Sequence, residues 1–199
     1  MQKGFTLVEM LVVIGIIAVL TGASIAGFSK MRATAERAKA QEMVSNTATA
    51  LSAILQEKGF WPKRLLEEAA SGDGRLEATA AFALRNHLSL NNDGSVLIGL
   101  DRLGVFDSWG AATIKSRGSS ASLSSPVGTG GTLEDHILHF AIDLDDDGFT
   151  EASVGGESLK IRATAAVWCA GKDGKLSGYK AGLKGDDIYS WSRGQVAND

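Results

Sequence analysis

The sequence predicts an α+β chain: one long N-terminal α-helix packed against a C-terminal head with a small antiparallel β-sheet. Residues 10–28 hold no charged side chain, an apolar run of helical rather than strand length. Helical spacing of apolar residues continues to Lys58, and no proline interrupts the chain before Pro62. Beyond residue 71, glycines punctuate short segments that include apolar and β-branched runs.

As a helix, residues 10–28 rise roughly 28 Å, enough to cross the hydrocarbon core of a bilayer. The run is too long for the apolar part of a signal peptide, and its only basic flank is Lys3. Gly15, Gly22 and Gly27 either let another helix approach closely or face lipid. From residue 30 to 58 the helix turns amphipathic. Ala40, Met43, Val44, Thr47, Leu51, Ile54 and Leu55 recur at spacings of three and four, and Glu36, Arg37, Lys39, Gln41 and Glu42 lie mostly off that stripe. Gly59 supplies a C-cap and Pro62 blocks continuation. A single helix over residues 5–58 is roughly 80 Å long. In the head, residues 65–70 and 76–87 are predicted helical, with turns at Gly72, Gly74 and the Asn-Asn-Asp-Gly run at 91–94. Residues 116–131, rich in Ser and Gly, are predicted as a surface loop. Strands are predicted at 137–142, 159–169 and 188–191, forming a meander across the upper half of the helix.

Glu9 stands at the edge of the apolar run, where a carboxylate is costly unless paired or held at the interface. Gly4-Phe5-Thr6-Leu7-Val8-Glu9, followed by the apolar helix, resembles the prepilin cleavage and methylation motif of type IV pilins and type II secretion pseudopilins. The resemblance implies a pilin-like fold whose leader, residues 1–4, is removed after Gly4 by a prepilin peptidase. It implies N-methylation of Phe5 and pairing of Glu9 with the terminal ammonium of a neighbouring subunit. Such a pairing neutralises a carboxylate that is expensive alone in a low-dielectric bundle. Residues 5–29 then form the membrane-spanning, filament-core half of the helix, 30–58 its amphipathic half, and 59–199 the globular head. Implied partners are copies of the chain, other pilin-like subunits and an inner-membrane assembly platform. The implied location is a single-pass inner-membrane precursor with a periplasmic head, then a periplasmic or extracellular filament. Lys30, Arg32, Arg37 and Lys39 after the span outnumber Lys3 before it, so charge alone favours a cytoplasmic head. The resemblance implies the reverse, because the leader must meet a peptidase on the cytoplasmic side.

Two acidic clusters suggest calcium, Ca2+. Asp143-Leu144-Asp145-Asp146-Asp147-Gly148 places carboxylates at alternate positions before a glycine, as at the start of a calcium loop. The twelfth position, a bidentate Glu in the full loop, is Val154, with Glu151 three residues earlier. An acidic turn keeping a sheet edge soluble has the same composition. The second cluster joins Asp173-Gly174 to Gly185-Asp186-Asp187-Ile188-Tyr189-Ser190-Trp191 and resembles the C-terminal calcium loop of the major pseudopilin. By that resemblance Asp173, Asp186 and Asp187 are side-chain ligands. Lys172, Lys175, Lys180 and Lys184 depart from a strongly acidic loop and can pair with the aspartates instead. Asp107-Ser108-Trp109-Gly110 resembles the same family's Asp-Pro-Trp-Gly turn, with Ser108 in place of proline.

Nothing in the chain predicts an enzyme. His136 and His139 fall on opposite faces of a strand start, poor geometry for sharing zinc, and His87 is remote in sequence. Cys169, the lone cysteine, sits in an apolar run and reads as a buried inert thiol. Trp61, Trp109, Trp168 and Trp191 read as core or turn anchors. A net charge of −3 predicts no nucleic-acid partner. The expected function is therefore a structural subunit of a pilin-like filament, a type II secretion pseudopilus or a related one. The alternatives are a type IV pilus or DNA-uptake pilin and, from another class, a monomeric membrane-anchored calcium-binding or adhesive protein.

Overall fold

The computed structural model describes residues 6–70, 74–84, 104–117, 122–124 and 126–197. Gly4, Phe5, the predicted turn at 91–94 and His87, at the end of the predicted 76–87 helix, lie outside them. The chain divides into two compact units, Met1–Glu36 and Arg37–Asp199.

In the first unit the structure is the opening part of α1 (Leu7–Lys58). Its apolar side chains are exposed on every face: Leu7, Val8, Met10, Leu11, Val12, Val13, Ile14, Ile16, Ile17, Val19 and Leu20 all lie open. Among the described residues no helix is long and apolar enough to cross a membrane. The predicted span runs through positions 23–27, whose side chains lie outside the described set.

The second unit is built on the remainder of α1. Ala40, Met43, Val44, Thr47, Leu51 and Ile54 are buried, as the three-and-four spacing predicts. Thr47 satisfies its hydroxyl on the Met43 carbonyl, 2.7 Å away. Against this stripe pack Leu65 of α2 (Lys63–Ala70), Leu84 of α3 (Ala78–Leu84), Ile114 of α4 (Ser108–Arg117), and Phe140 and Val167 of the sheet.

The sheet has three antiparallel strands in the order β1 (His139–Ile142), β4 (Ala165–Cys169), β5 (Ile188–Tyr189), with His139 opposite Trp168 and Trp168 opposite Tyr189. Both faces are covered. Ala165, Val167 and Cys169 join the core under α1, while Ala166 and Trp168 join a second core with Ala141, Tyr179, Tyr189 and Trp191. That two-faced burial explains why β4 reads as a continuous apolar run.

Two expectations are corrected. The predicted strand at 159–169 is two strands, β3 (Glu157–Ile161) and β4, broken at residues 162–164. β3 pairs instead with β2 (Thr150–Val154) in a separate hairpin, whose turn residues Gly155 and Gly156 have φ of 54° and 85°. A two-residue turn with positive φ at both positions matches the twist of its flanking strands. The predicted loop at 116–131 starts late, because residues 116–117 end α4.

Candidate functional site

The N-terminal motif is the first candidate. Glu9 Oε2 accepts hydrogen bonds from the Thr6 amide (2.8 Å) and the Thr6 hydroxyl (2.7 Å), and the Thr6 hydroxyl accepts from the Glu9 amide at 3.3 Å. This reciprocal arrangement is a capping box, which satisfies donors orphaned at a helix start. Thr6 was legible as a partner from the Thr-x-x-Glu spacing alone. Glu9 is thus held at the first turn of α1, where a carboxylate complements the helix dipole.

The second candidate is the loop between β1 and β2. One carboxylate oxygen from each of Asp143, Asp145 and Asp147 lies within 4.8 Å of the others, so the cluster can bind a metal ion. Asp143 is 5% exposed; its Oδ2 accepts from the Gly148 amide at 2.9 Å, and its Oδ1 is buried with no hydrogen-bond partner. Its backbone is also tied down, the carbonyl accepting from Trp61 Nε1 at 2.6 Å and the amide donating to the Thr164 carbonyl at 2.9 Å. Asp147 Oδ2 pairs with Lys160 Nζ at 2.9 Å, and that ammonium lies 4.8 Å from the centre of the Phe149 ring. The hydrogen bond to Lys160 holds the Asp147 carboxyl below its ordinary pKa. Sequence reading missed Lys160, since only the β2–β3 hairpin brings it beside the loop.

The C-terminal aspartates are arranged differently. Asp186 Oδ2 accepts from the Asp173 amide (2.9 Å), Asp173 Oδ1 from the Lys175 amide (2.8 Å), and Asp187 Oδ2 from the Ser177 amide (3.0 Å) and the Tyr189 hydroxyl (3.2 Å). These carboxylates act as turn and loop acceptors and do not converge as a three-carboxylate ligand set. Asp187 Oδ1 is buried and unpartnered, and burial together with the neighbouring Asp186 and Asp173 charges raises the Asp187 pKa. None of Lys172, Lys175, Lys180 and Lys184 forms an ion pair with them among the described residues.

The Asp-Ser-Trp-Gly segment opens α4 rather than forming an isolated turn. Asp107 Oδ1 accepts from the Trp109 (3.0 Å) and Gly110 (2.9 Å) amides, while Oδ2 meets His136 Nδ1 at 2.8 Å. His136 Nε2 reaches the Gly130 carbonyl at 2.9 Å. A carbonyl can only accept, so Nε2 carries a proton; burial pushes the Asp107 carboxyl up, while the bond and charge of His136 and the Gly110 and Trp109 amides oppose that shift and favour the carboxylate and the imidazolium. Burial alone pushes His136 down, but the bond and charge of Asp107 raise its pKa on balance. His139 instead stacks on Trp168, ring centres 5.6 Å apart. Burial pushes the Cys169 thiol well up, so no reactive thiolate forms there.

Residues 1–25 match the family described as the prokaryotic N-terminal methylation motif. Fimbrial protein EcpC of Eikenella corrodens is 32% identical over 71 residues, 36% of this chain; the chain spans only 44% of that relative's length. No solved structure matches. The chain thus joins a prokaryotic N-terminal methylation motif, at the start of α1, to an α+β head.

Proposed function

We propose that the chain is a structural subunit of a pilin-like filament, of a type II secretion pseudopilus or a related kind. The observation that carries this reading is the methylation motif joined to a helix whose apolar side chains are exposed all round. So much apolar surface demands a cover, first lipid and then copies of the same helix. In this reading a prepilin peptidase cuts after Gly4 and Phe5 is methylated. The precursor is anchored in the inner membrane with its head in the periplasm. Glu9, released from the Thr6 capping box or shared with it, receives the ammonium of a neighbouring subunit and sets the axial register. The chain then works mechanically, without catalysis, alongside other pilin-like subunits on an inner-membrane platform.

A true pilus is the second reading, favoured by the fimbrial relative. The test is made in the native host. Mass spectrometry of the wild-type chain should show loss of residues 1–4 and gain of one methyl group. Glu9→Ala should leave the chain synthesised and cleaved but absent from the sheared filament fraction. An intact N-terminus at Met1, or filaments of normal length from Glu9→Ala, overturns the reading. Blocked secretion on deletion, without loss of surface filaments, selects the pseudopilus over the pilus.

A further inference from the structure

The geometry points to the Asp143–Gly148 loop as a calcium site in which the ion exchanges with the Lys160 ammonium as counter-charge to the carboxylates. The convergence of Asp143, Asp145 and Asp147 supplies three hard oxygens and no nitrogen or sulfur ligand, which suits calcium over zinc. An acidic cluster alone is common on protein surfaces. What sets this one apart is that Asp143, 5% exposed and contributing an oxygen to three converging carboxylates, also holds a buried Oδ1 with no hydrogen-bond partner among the described residues, whereas Asp187, with a like bare oxygen, stands in no such group. A buried acceptor left bare costs free energy, and a cation is the partner that the surroundings call for.

The order of donors supports the assignment. Counting Asp143 as the first position, Asp145 and Asp147 are the third and fifth, Gly148 the sixth with φ 81°, and Phe149 the seventh, whose carbonyl is a ligand in calcium loops of this type. The twelfth position is Val154, in β2, so the bidentate ligand of a high-affinity loop is missing and waters must complete the shell. Lys160 stands at the rim on Asp147 Oδ2 and partly neutralises the loop without the ion. Through the Asp143 backbone the site joins three elements: Trp61 just after α1, β1, and the 162–164 segment between β3 and β4. An ion there would brace the joint of a head that has no disulfide.

The test uses the full chain in detergent micelles, with calcium chloride followed by calorimetric titration and thermal unfolding, and magnesium chloride at equal concentration as comparison. One calcium per chain should bind with a Kd of about 10⁻⁵–10⁻³ M. Tm should rise roughly 3–6 °C at a tenfold excess over Kd, with a smaller rise in magnesium. Asp145→Asn, at an exposed position that leaves the fold intact, should weaken binding about tenfold or more. Lys160→Met should tighten it roughly two- to fivefold by removing the competing ammonium, and Asp186→Asn should change nothing. No heat and no Tm shift at 10-fold the upper Kd, about 10 mM, overturns the site. Equal shifts in magnesium, or binding lost in Asp186→Asn but kept in Asp145→Asn, overturn it too. Unchanged affinity in Lys160→Met overturns the exchange.

Discussion

Replacing Asp107 tests whether the buried Asp107–His136 pair organises the head. Both side chains are fully buried, 2.8 Å apart, and Asp107 also caps α4 through two backbone amides. Asp107→Ala leaves an imidazolium without its counter-charge, worth about 3–5 kcal/mol, and removes a helix cap worth about 1 kcal/mol. At about 2–4 °C per kcal/mol for a domain of this size, Tm should fall by about 10–20 °C. Asp107→Asn keeps a good capping residue and the shape but not the charge, so its penalty should depend on pH. His136 has a folded-state pKa raised above its ordinary 6.5, with the Asp107 bond and charge outweighing burial. The stabilisation is therefore complete below about pH 6.5 and is lost as pH rises through the raised folded-state value. Thermal melts of wild type and Asp107→Asn at pH 5.5 and pH 9 should differ more at the lower pH. An equal difference at the two pH values refutes the ion pair. A Tm loss under about 3 °C in Asp107→Ala refutes the structural role altogether.

Other consequences follow from packing. Leu51→Ala, at a fully buried site on α1, should lower stability by about 2–5 kcal/mol in denaturant titrations, whereas Leu20→Ala in the exposed stretch should leave the head's transition unchanged. Gly74→Ala should cost at least about 2 kcal/mol in the same titration, because Gly74 has φ 57° and an added Cβ would sit 2.5 Å from the Phe140 carbonyl oxygen. Trp61→Phe removes the indole donor from the Asp143 carbonyl and should cost about 1–3 kcal/mol, with faster amide exchange across residues 143–148.

The long helix was readable because its pattern is local: apolar periodicity, no proline before Pro62, and Gly59 at the C-cap with φ 70°. β4 was readable for the same reason, as five consecutive buried residues. The break before it was not. Arg162-Ala163-Thr164 contains no turn-forming glycine or proline, and its bend is stabilised from outside, by the Thr150 hydroxyl on the Ala163 carbonyl and the Asp143 amide on the Thr164 carbonyl. The Gly155-Gly156 pair is the local signal of the β2–β3 hairpin, but the apolar and β-branched residues from Leu159 onward read as one strand with β4. α4 hid behind Asp107, a residue that starts turns and helices alike. At the sites, the aspartate spacing in the 143–148 loop and the Thr6–Glu9 box lie in contiguous sequence and were open to inspection. The Lys160 and His136 contacts depend on tertiary register, which no local pattern carries.

The C-terminal segment shows why the two aspartate clusters differ physically. Past β4 the chain has little ladder to hold it, since β5 pairs over only two residues and Cys169 is a free buried thiol. Rings take over that work. Tyr189 packs 5.1 Å from Tyr179 and 5.0 Å from Trp191, and Trp191 meets Trp168 edge-on at 5.8 Å. Asp173, Asp186 and Asp187 each give one oxygen to a backbone amide of the loop that delivers those rings, and the same Asp187 oxygen also receives the Tyr189 hydroxyl. Their charges are thus committed to shaping the loop. In the 143–148 loop Asp143 and Asp147 also accept from loop amides, those of Gly148 and Phe149, yet one oxygen from each of Asp143, Asp145 and Asp147 converges within 4.8 Å. Mutual repulsion in such an arrangement calls for a cation, and Lys160 reaches only one of the three.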